Sequence, residues 1–191
     1  MGSTPREKHA AMIATLPEKT GRNLAQWLAF VRKNGPHDLG AVDDWLRREL
    51  GLGGGHAGVI ASELAGGPAY ARMSPKELLE AQYPAKKAAL RPICNRLLAA
   101  ARRLGKDVRV EPCVTYVSLI RGRQFAVVRS ATATRVDLGL ALKGVKAQGR
   151  LLARPPQGAA ERITHRIELT APGEVDAVVG RWLRKAYSTN G

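Results

Sequence analysis

Basic side chains that could bind phosphate are the most prominent chemical feature of this sequence. Arginine binds phosphate through parallel hydrogen bonds and stacks on nucleobases, and lysine supplies a compact point charge. The predicted phosphate-contact set has seven members: Arg121, Arg123, Arg135, Lys143, Lys146, Arg150 and Arg166. Tyr116 and Phe125 could add a small stacking surface. The set predicts a site for a phosphate-rich polyanion, and the alternative is an ordinary solvated basic surface.

The positive charge is concentrated in one part of the chain. Residues 1–72 contain nine Lys or Arg and seven Asp or Glu, which gives a net charge of +2. Residues 73–191 contain the other 22 basic and nine acidic residues, which gives a net charge of +13. Such an excess attracts polyanions over long distances, and binding to phosphates releases condensed counterions. The second part of the chain is therefore expected to bind nucleic acid, or another polyanion, with little sequence preference.

A small-molecule pocket is the second interpretation. Tyr116, Arg135 and His165 are polar residues on predicted strands that are otherwise apolar, and together they could enclose an anionic or aromatic ligand. Strand alternation puts His165 on the same face as Ile163 and Ile167, so partial burial is expected. An enzyme that uses His165 for acid–base chemistry is a third and weaker interpretation. The simplest alternative for His165 is a hydrogen-bonded core histidine.

No catalytic, metal-binding or cofactor-binding residues are predicted. The four histidines lack the i, i+4 spacing of a zinc-binding helix, and Cys94 lies far from Cys113 in the sequence. Residues 53–58 match G-x-G-x-x-G, but a predicted helix precedes them where a dinucleotide site needs a strand, so a flexible turn is expected. The segment HAGVIASEL lacks the Lys, Arg, Asn or Gln side chains with which a DNA recognition helix reads base edges.

The composition indicates a folded cytoplasmic protein. Hydrophobic residues make up 45% of the chain, which is enough for a packed core, whereas the 5% of aromatic residues is low for extensive base stacking. Two cysteines are too few for a disulfide framework, so two reduced thiols are expected. No apolar run approaches the length of a bilayer span, and a secretory signal is not expected because the first residues lack a long apolar stretch.

The elements that would position these residues fall into two domains. Residues 1–66 are predicted to form a helical domain, with helices over 7–14, 22–33, 41–50 and 56–64 that end at proline or glycine. A docking role with a protein partner is one interpretation of this domain. After a linker at 66–73, the second domain begins at a capping box, Ser74-Pro75-Lys76-Glu77.

The second domain, residues 74–191, is predicted to be α+β. A helix over 85–104 is interrupted by Pro92, which should kink or split it. Strands are predicted over 114–120, 124–129, 134–142 and 163–169, with a tight hairpin at Arg121-Gly122 and a loop over 144–160. A last helix is predicted over 172–187. The expected fold class is α+β: a small helical domain followed by an antiparallel β-meander that is flanked by helices.

Five segments carry a family resemblance. TLPEKTGRNLAQWLAFVRKNGP and WLRRELGLGGGHAGVIA resemble the short helical bacterial domain of unknown function 4287. YPAKKAALRPICNRLLAAARRLG, TYVSLIRGRQFAVVRSATATRVDLGLALKG and THRIELT resemble domain of unknown function 5655. This resemblance implies a two-domain bacterial protein with an α+β second domain in the cytoplasm, and it brings no assigned activity or catalytic residues.

Overall fold

The computed structural model describes residues 4–155 and 162–190. The chain divides into two compact units, one that ends at Met73 and one that begins at Ser74. The described part of the first unit is helical, and the second combines helices with an antiparallel sheet, so the predicted α+β fold class is confirmed. In the described ranges, every helix is too short or too polar to cross a membrane.

The first two helices of the helical unit begin at capping boxes. Its helices are α1 (Pro5–Thr20), α2 (Leu24–Asn34), α3 (Val42–Arg48), α4 (Gly54–Leu64) and α5 (Ala69–Arg72), and a 3₁₀ turn at Leu39–Ala41 precedes α3. Thr4 and Asn23 each accept a hydrogen bond from the third residue of the following helix, and that residue's side chain accepts one from the cap backbone. These capping boxes satisfy amide groups that have no partner inside the helix.

The predicted end of the first helix was wrong. Pro17 lies inside α1, which continues to Thr20 and closes at Gly21 with a φ of +74°. Proline removes one helical hydrogen bond, but Leu16 is fully buried in the core of this unit and compensates by packing. The buried residues of that core include Leu16, Trp27, Val31, Val42, Leu46, Ala57 and Ile60.

The α+β unit begins at the predicted capping box. The Glu77 amide donates to the Ser74 hydroxyl at 3.2 Å, and the Ser74 amide donates to the Glu77 carboxylate at 2.7 Å. The helices are α6 (Pro75–Ala81), α7 (Arg91–Arg102) and α8 (Ala177–Thr189), with 3₁₀ turns at Ala85–Leu90 and Pro172–Glu174. The predicted interruption at Pro92 is confirmed, because the 3₁₀ turn ends there and Pro92 lies in the first turn of α7.

The sheet has six antiparallel strands in the order β1-β2-β3-β4-β6-β5. The strands are β1 (Arg109–Pro112), β2 (Val117–Arg121), β3 (Arg123–Ser130), β4 (Val136–Leu140), β5 (Leu152–Ala153) and β6 (His165–Leu169). The predicted hairpin is confirmed, with Gly122 at a φ of +58° between β2 and β3. The sequence did not predict β1 or β5. The latter lies in the predicted 144–160 loop, and residues 156–160 of that loop are outside the described residues.

One face of the sheet packs against the helices and the other is more polar. The core of this unit joins β2, β3, β4 and β6 to α7 and α8, through buried residues such as Leu119, Phe125, Leu138, Ile167 and Leu183. The opposite face carries two pairs of neighbours on β4 and β6: Asp137 lies beside Glu168, and Gly139 lies beside Arg166. Charged groups of the sheet are therefore confined mainly to the face away from α7 and α8.

Glycine is required at position 139 because two neighbouring side chains approach its backbone closely on the more polar face of the sheet. A Cβ atom added there would lie 2.6 Å from Val127 Cγ2 and 2.7 Å from Ile163 Cγ2. Gly139→Ala is therefore expected to lower the free energy of unfolding by about 1–3 kcal/mol, measured by urea denaturation. Gly180→Ala is the matched control, since a Cβ in that part of α8 meets no atom within 4 Å, and it should stabilise by about 0.5–1 kcal/mol. Equal stability of the two variants would contradict the close-approach explanation.

Candidate functional site

The predicted phosphate-contact residues lie in three places. Arg121 and Arg123 are at the β2–β3 hairpin, Arg135 and Arg166 are on the polar face of the sheet, and Lys143, Lys146 and Arg150 belong to the loop after β4. The structure therefore does not place the seven in one patch. How readily each of these residues can bind a phosphate depends on the groups that its side chain already contacts.

The two arginines of the sheet face are paired with carboxylates. Arg135 Nε lies 2.8 Å from Asp137 Oδ1, and Arg135 Nη1 lies 3.1 Å from Glu168 Oε1. Arg166 Nη2 lies 3.0 Å from the same Glu168 oxygen. The positive charges of Arg135 and Arg166 are thus balanced by the negative charges of Asp137 and Glu168. A phosphate would have to displace partners that are already in place.

The hairpin offers one engaged and one exposed arginine. Arg121 Nε donates to Asp107 Oδ2 at 2.8 Å, and its guanidinium carbon lies 4.2 Å from the centre of the Tyr187 ring. The hydroxyl of Tyr187 donates to Asp107 Oδ1 at 2.6 Å, which is the main reason for the lowered pKa of Asp107. Arg121 therefore anchors α8 to the hairpin. Arg123 is exposed beside it.

The third location forms a groove. Seven residues line this open depression of about 470 Å³, which we call the α8 groove: Gln148, Gly149, Arg150, Val178, Arg181, Trp182 and Lys185. Three of them are cationic, and Trp182 and Val178 give the groove an apolar surface. Lys143 and Lys146 are exposed in the loop that leads into it. In the described part of the structure, this groove combines a cavity with clustered basic side chains.

Helical spacing brings the α8 residues into the groove. Val178, Arg181, Trp182 and Lys185 follow an i, i+3, i+4, i+7 pattern, which places them along one face of a helix. Asp176 is the N-cap of this helix, and its carboxylate accepts hydrogen bonds from the Val178 and Val179 amides at 2.9 and 3.0 Å. This cap fixes the first turn of α8 and therefore the direction of its groove-facing side chains.

The other wall of the groove is a tight turn. The amide of Gln148 donates to the Leu151 carbonyl, and the Leu151 amide donates to the Gln148 carbonyl, both at 3.0 Å. Gly149 adopts a φ of +54° between them, a conformation that glycine adopts without strain. Arg150 leaves this turn toward α8, where Nη1 donates to Asp176 Oδ2 at 2.8 Å and Nη2 donates to the Glu174 carbonyl at 3.0 Å.

The charges of the groove are unequal from one end to the other. Hydrogen bonds from the α8 amides, chiefly that of Val179, lower the pKa of Asp176, and Arg150 adds to this effect. Asp176 thus stays ionised near neutral pH and offsets Arg150. Arg181 and Lys185 are exposed, and neither has a carboxylate partner within the described residues. The Lys185 ammonium lies 5.6 Å from the centre of the Trp182 ring.

Tyr116, Arg135 and His165 do not form a common pocket. His165 is buried on the core side of the sheet, since it pairs with Leu140, and its Nδ1 lies 2.9 Å from the Thr164 hydroxyl. Arg135 is on the other face, beside the far end of β4. Tyr116 precedes β2, where burial raises its pKa to about 12 and the Cys113 thiol contributes. These three residues therefore cannot enclose one ligand.

Two further expectations about individual residues need correction. Ile163 precedes β6, and its Cγ2 approaches Gly139 on the polar face, so it does not share a face with His165. Phe125 is fully buried in the core and offers no stacking surface. Within the described ranges, no group of three or more His, Cys, Asp or Glu side chains could hold a metal ion.

Sequence reasoning did not assign Arg181, Trp182 and Lys185 to the site. The sequence predicts that Trp182 belongs to the apolar stripe of the last helix and that the basic residues complement the helix dipole. The available signal was their spacing along one helix face. The facing wall, Gln148 to Arg150, lies more than 25 residues earlier in the chain, so only the folded structure brings the two together.

Comparisons with known proteins identify families. The family described as Domain of unknown function (DUF4287) matches residues 8–66. The family described as Domain of unknown function (DUF5655) matches residues 79–190, which is more than half of the chain and contains the whole α8 groove. No curated protein and no solved structure matches the chain. The chain therefore belongs to the DUF5655 family and carries a DUF4287 domain before it.

Proposed function

We propose that the α+β unit is a non-enzymatic binding module for a phosphate-rich polyanion, namely nucleic acid that it binds with little sequence preference. The observation that carries this proposal is the α8 groove, where Arg150, Arg181 and Lys185 line one depression. Cations around a concave surface reinforce one another's potential and raise the local concentration of anions. The net charge of +13 over residues 73–191 acts in the same direction.

The contacts of the basic residues determine which of them bind the polyanion. Arg135 and Arg166 are paired on the sheet face, and Arg121 is held by Asp107. We therefore assign the phosphate contacts chiefly to Arg181 and Lys185, which are exposed. Arg150 contributes less because Asp176 is its partner. Lys143 and Lys146, in the loop before the groove, extend the basic surface.

A small anionic or aromatic molecule is the second candidate ligand. The groove volume of about 470 Å³ supports it, because small-molecule sites in proteins have volumes of about 300–1,000 Å³. The two candidates differ in their dependence on ligand length. Affinity for a polyanion rises with the number of phosphates that it offers, whereas a small ligand gains nothing from added phosphates.

The proposal extends to compartment and partners. A cytoplasmic location is supported by Cys94 and Cys113, which are both free and buried, as expected of reduced thiols. The helical unit is proposed to dock a protein partner. Leu39 and Leu50, which leave 49% and 37% of their surface exposed, are apolar side chains that such a partner could cover.

Salt dependence tests the proposal directly. The full chain is titrated against labelled single-stranded DNA and RNA at about 50 and about 200 mM salt, and binding is followed by fluorescence anisotropy. We expect binding at low salt and a log–log slope near −2, roughly −0.7 for each of three phosphate contacts. Arg181→Gln should make this slope shallower by about 0.7, because one counterion fewer is released.

Arg184→Gln is the matched control for Arg181→Gln. Arg184 is exposed on the same helix and carries the same charge, but it does not line the groove. If both variants weaken binding equally, the overall charge and not the α8 groove is responsible. Absence of binding at low salt, or binding that is indifferent to salt, would reject the polyanion function altogether.

A further inference from the structure

We propose that the α8 groove binds an unpaired nucleotide of a single strand, with the base against Trp182 and its phosphate between Arg181 and Lys185. This inference rests on the proposed function and specifies its substrate class. It starts from one side chain. Trp182 is partly buried against the core of the α+β unit, and it also lines the groove beside Val178. An indole that is fixed on one side and accessible on the other is a suitable surface for base stacking.

The positions of the cations on α8 suit a nucleotide. Arg181 precedes Trp182 directly, and Lys185 lies one turn further along, so their Cα atoms are about 6 Å apart along the helix axis. A base that contacts the indole therefore has a cation on either side for its phosphates. Lys185 now lies over the Trp182 ring. Its flexible four-carbon side chain can turn from the ring to a phosphate when a base arrives.

The opposite end of the groove fixes the orientation of the nucleotide. Arg150 is bound there to the Asp176 carboxylate, which stays ionised because the α8 amides stabilise its charge. A phosphate at that end would meet a carboxylate, whereas Arg181 and Lys185 at the other end have no carboxylate partner among the residues that the structure describes. The amide side chain of Gln148 also lines the groove and can exchange hydrogen bonds with the edge of a base.

Duplex nucleic acid does not fit this arrangement. The bases of a duplex are stacked on one another inside, so they cannot lie against Trp182 unless a base pair opens. The volume of about 470 Å³ is also that of a small-molecule site, which accommodates about one nucleotide. The groove therefore discriminates between single strands and duplexes, although its phosphate contacts alone would not.

The test compares four probes with the full chain at low salt. They are a labelled oligothymidylate, a duplex of the same length, an abasic phosphodiester strand of the same length, and inorganic polyphosphate. We expect the oligothymidylate to bind roughly 5- to 100-fold more tightly than the abasic strand, as expected for the stacking of one base. The duplex should bind more weakly than the oligothymidylate, although it carries more phosphates, because its bases cannot lie against Trp182.

Variants of Trp182 test whether the preference for a strand that carries bases arises in the α8 groove. Trp182→Leu should bring the oligothymidylate and the abasic strand to similar affinity, because it removes the aromatic surface. It also removes the ring that Lys185 contacts, so the two strands are compared within the same variant. Trp182→Phe should retain most of the advantage. Thermal unfolding of both variants checks the fold, since Trp182 also packs on the core. If Trp182→Leu does not fold, the comparison of wild-type binding to oligothymidylate and abasic strand decides the question by itself.

The outcomes separate this inference from the proposed function. Salt-dependent binding with equal affinity for oligothymidylate, duplex and abasic strand would overturn the inference and leave the polyanion function in place. Loss of polyphosphate binding in a folded Trp182→Leu variant would also overturn it, because Trp182 would then not act through a base. Failure of all four probes to bind at low salt would overturn both proposals.

Discussion

Raising the pH from about 8 to about 10.5 is expected to lower the free energy of unfolding of the α+β unit steeply. Tyr83 and Cys94, which are both buried in the core of this unit, contribute to this fall. Cys113 and Tyr116 contribute as well, because burial also raises their pKa values. The Tyr83 hydroxyl lies near the Cys94 thiol and makes no hydrogen bond of ordinary geometry within the described residues. Burial raises the pKa of Tyr83 far above its usual value, and the Cys94 thiol adds to the effect. Burial also raises the pKa of Cys94.

The sign of the effect follows from proton binding. In the unfolded chain, the Cys94 thiol and the Tyr83 hydroxyl lose their protons near pH values of about 8.5 and about 10. In the folded chain both pKa values are raised, so each group keeps its proton to a higher pH than in the unfolded chain. Above it, the folded state binds more protons than the unfolded state, so the free energy of unfolding falls as pH rises. The slope approaches about 1.4 kcal/mol per pH unit for a group that is ionised in the unfolded chain and protonated in the folded chain, and neither group contributes well below pH 8.

Urea denaturation at several pH values between about 8 and 10.5 measures this slope, and Tyr83→Phe isolates the tyrosine. The variant keeps the ring but removes the hydroxyl, so its stability should fall less steeply above pH 10. At pH 8 it should be as stable as the wild type or more stable, because an unpaired buried hydroxyl is lost. Titration of the lysines affects both proteins equally. Parallel stability curves would show that Tyr83 stays ionisable in the folded protein.

Elements with strong local signals could be predicted from the sequence. The capping box at Ser74, the glycine of the β2–β3 hairpin and the split at Pro92 are each determined by a few neighbouring residues, and the structure confirms all three. The predicted end of the first helix was wrong because the local effect of Pro17 was outweighed by packing of α1 on the helical core. The local sequence contains capping and turn signals, but it does not show how a helix packs on a distant core.

The edge strands were missed for a related reason. β1 has four residues and β5 has two, so neither is long enough to show the alternation on which strand prediction depends. Each is a strand because a neighbour offers hydrogen-bonding groups at the edge of the sheet. The partner strand lies several residues away along the chain for β1 and more than ten residues away for β5. The periodicity of a short segment does not reveal such a partner.

The basic charge of the candidate site could be predicted from the sequence, but its location in the fold could not. The excess of basic residues in the second part of the chain is visible in the sequence. Which of them are available is not, because it depends on carboxylates such as Glu168, which binds Arg166 on its own strand and Arg135 beside the neighbouring strand. Arg150 is the one predicted phosphate-contact residue that lines the α8 groove. The others in that groove come from a helix whose sequence pattern is explained equally well by structural roles.

Replacing Phe125 with alanine is expected to destabilise the α+β unit by about 3–5 kcal/mol. Phe125 is fully buried, and its ring meets that of Tyr187 edge to face, with 5.7 Å between their centres. It faces the core because of a β-bulge: Leu119 pairs with Ala126 while Ile120 pairs with Gln124, so Phe125 is the extra residue on β3. Strict alternation would turn either Phe125 or Ala126 outward, yet both are buried.

Hydrogen exchange followed by mass spectrometry can measure this loss separately in each unit. In Phe125→Ala, amides of β2, β3 and α8 should exchange much faster, while those of residues 4–73 should keep their protection, because the helical unit has its own core. A total stability of about 5–15 kcal/mol makes such a loss a large fraction of the whole.

Tyr187→Phe distinguishes the buried ring of Phe125 from its polar neighbour. This variant keeps the edge-to-face contact but removes the hydrogen bond from the Tyr187 hydroxyl to Asp107, so it should cost only about 1 kcal/mol. If Tyr187→Phe proved as damaging as Phe125→Ala, the link between Tyr187 and Asp107 would hold α8 on the sheet. Faster exchange in residues 4–73 of Phe125→Ala would instead mean that the two cores unfold as one. The expected ranking, with Phe125→Ala far more damaging and its effect confined to one unit, follows because the bulge places a large apolar ring at the junction of the sheet and α8.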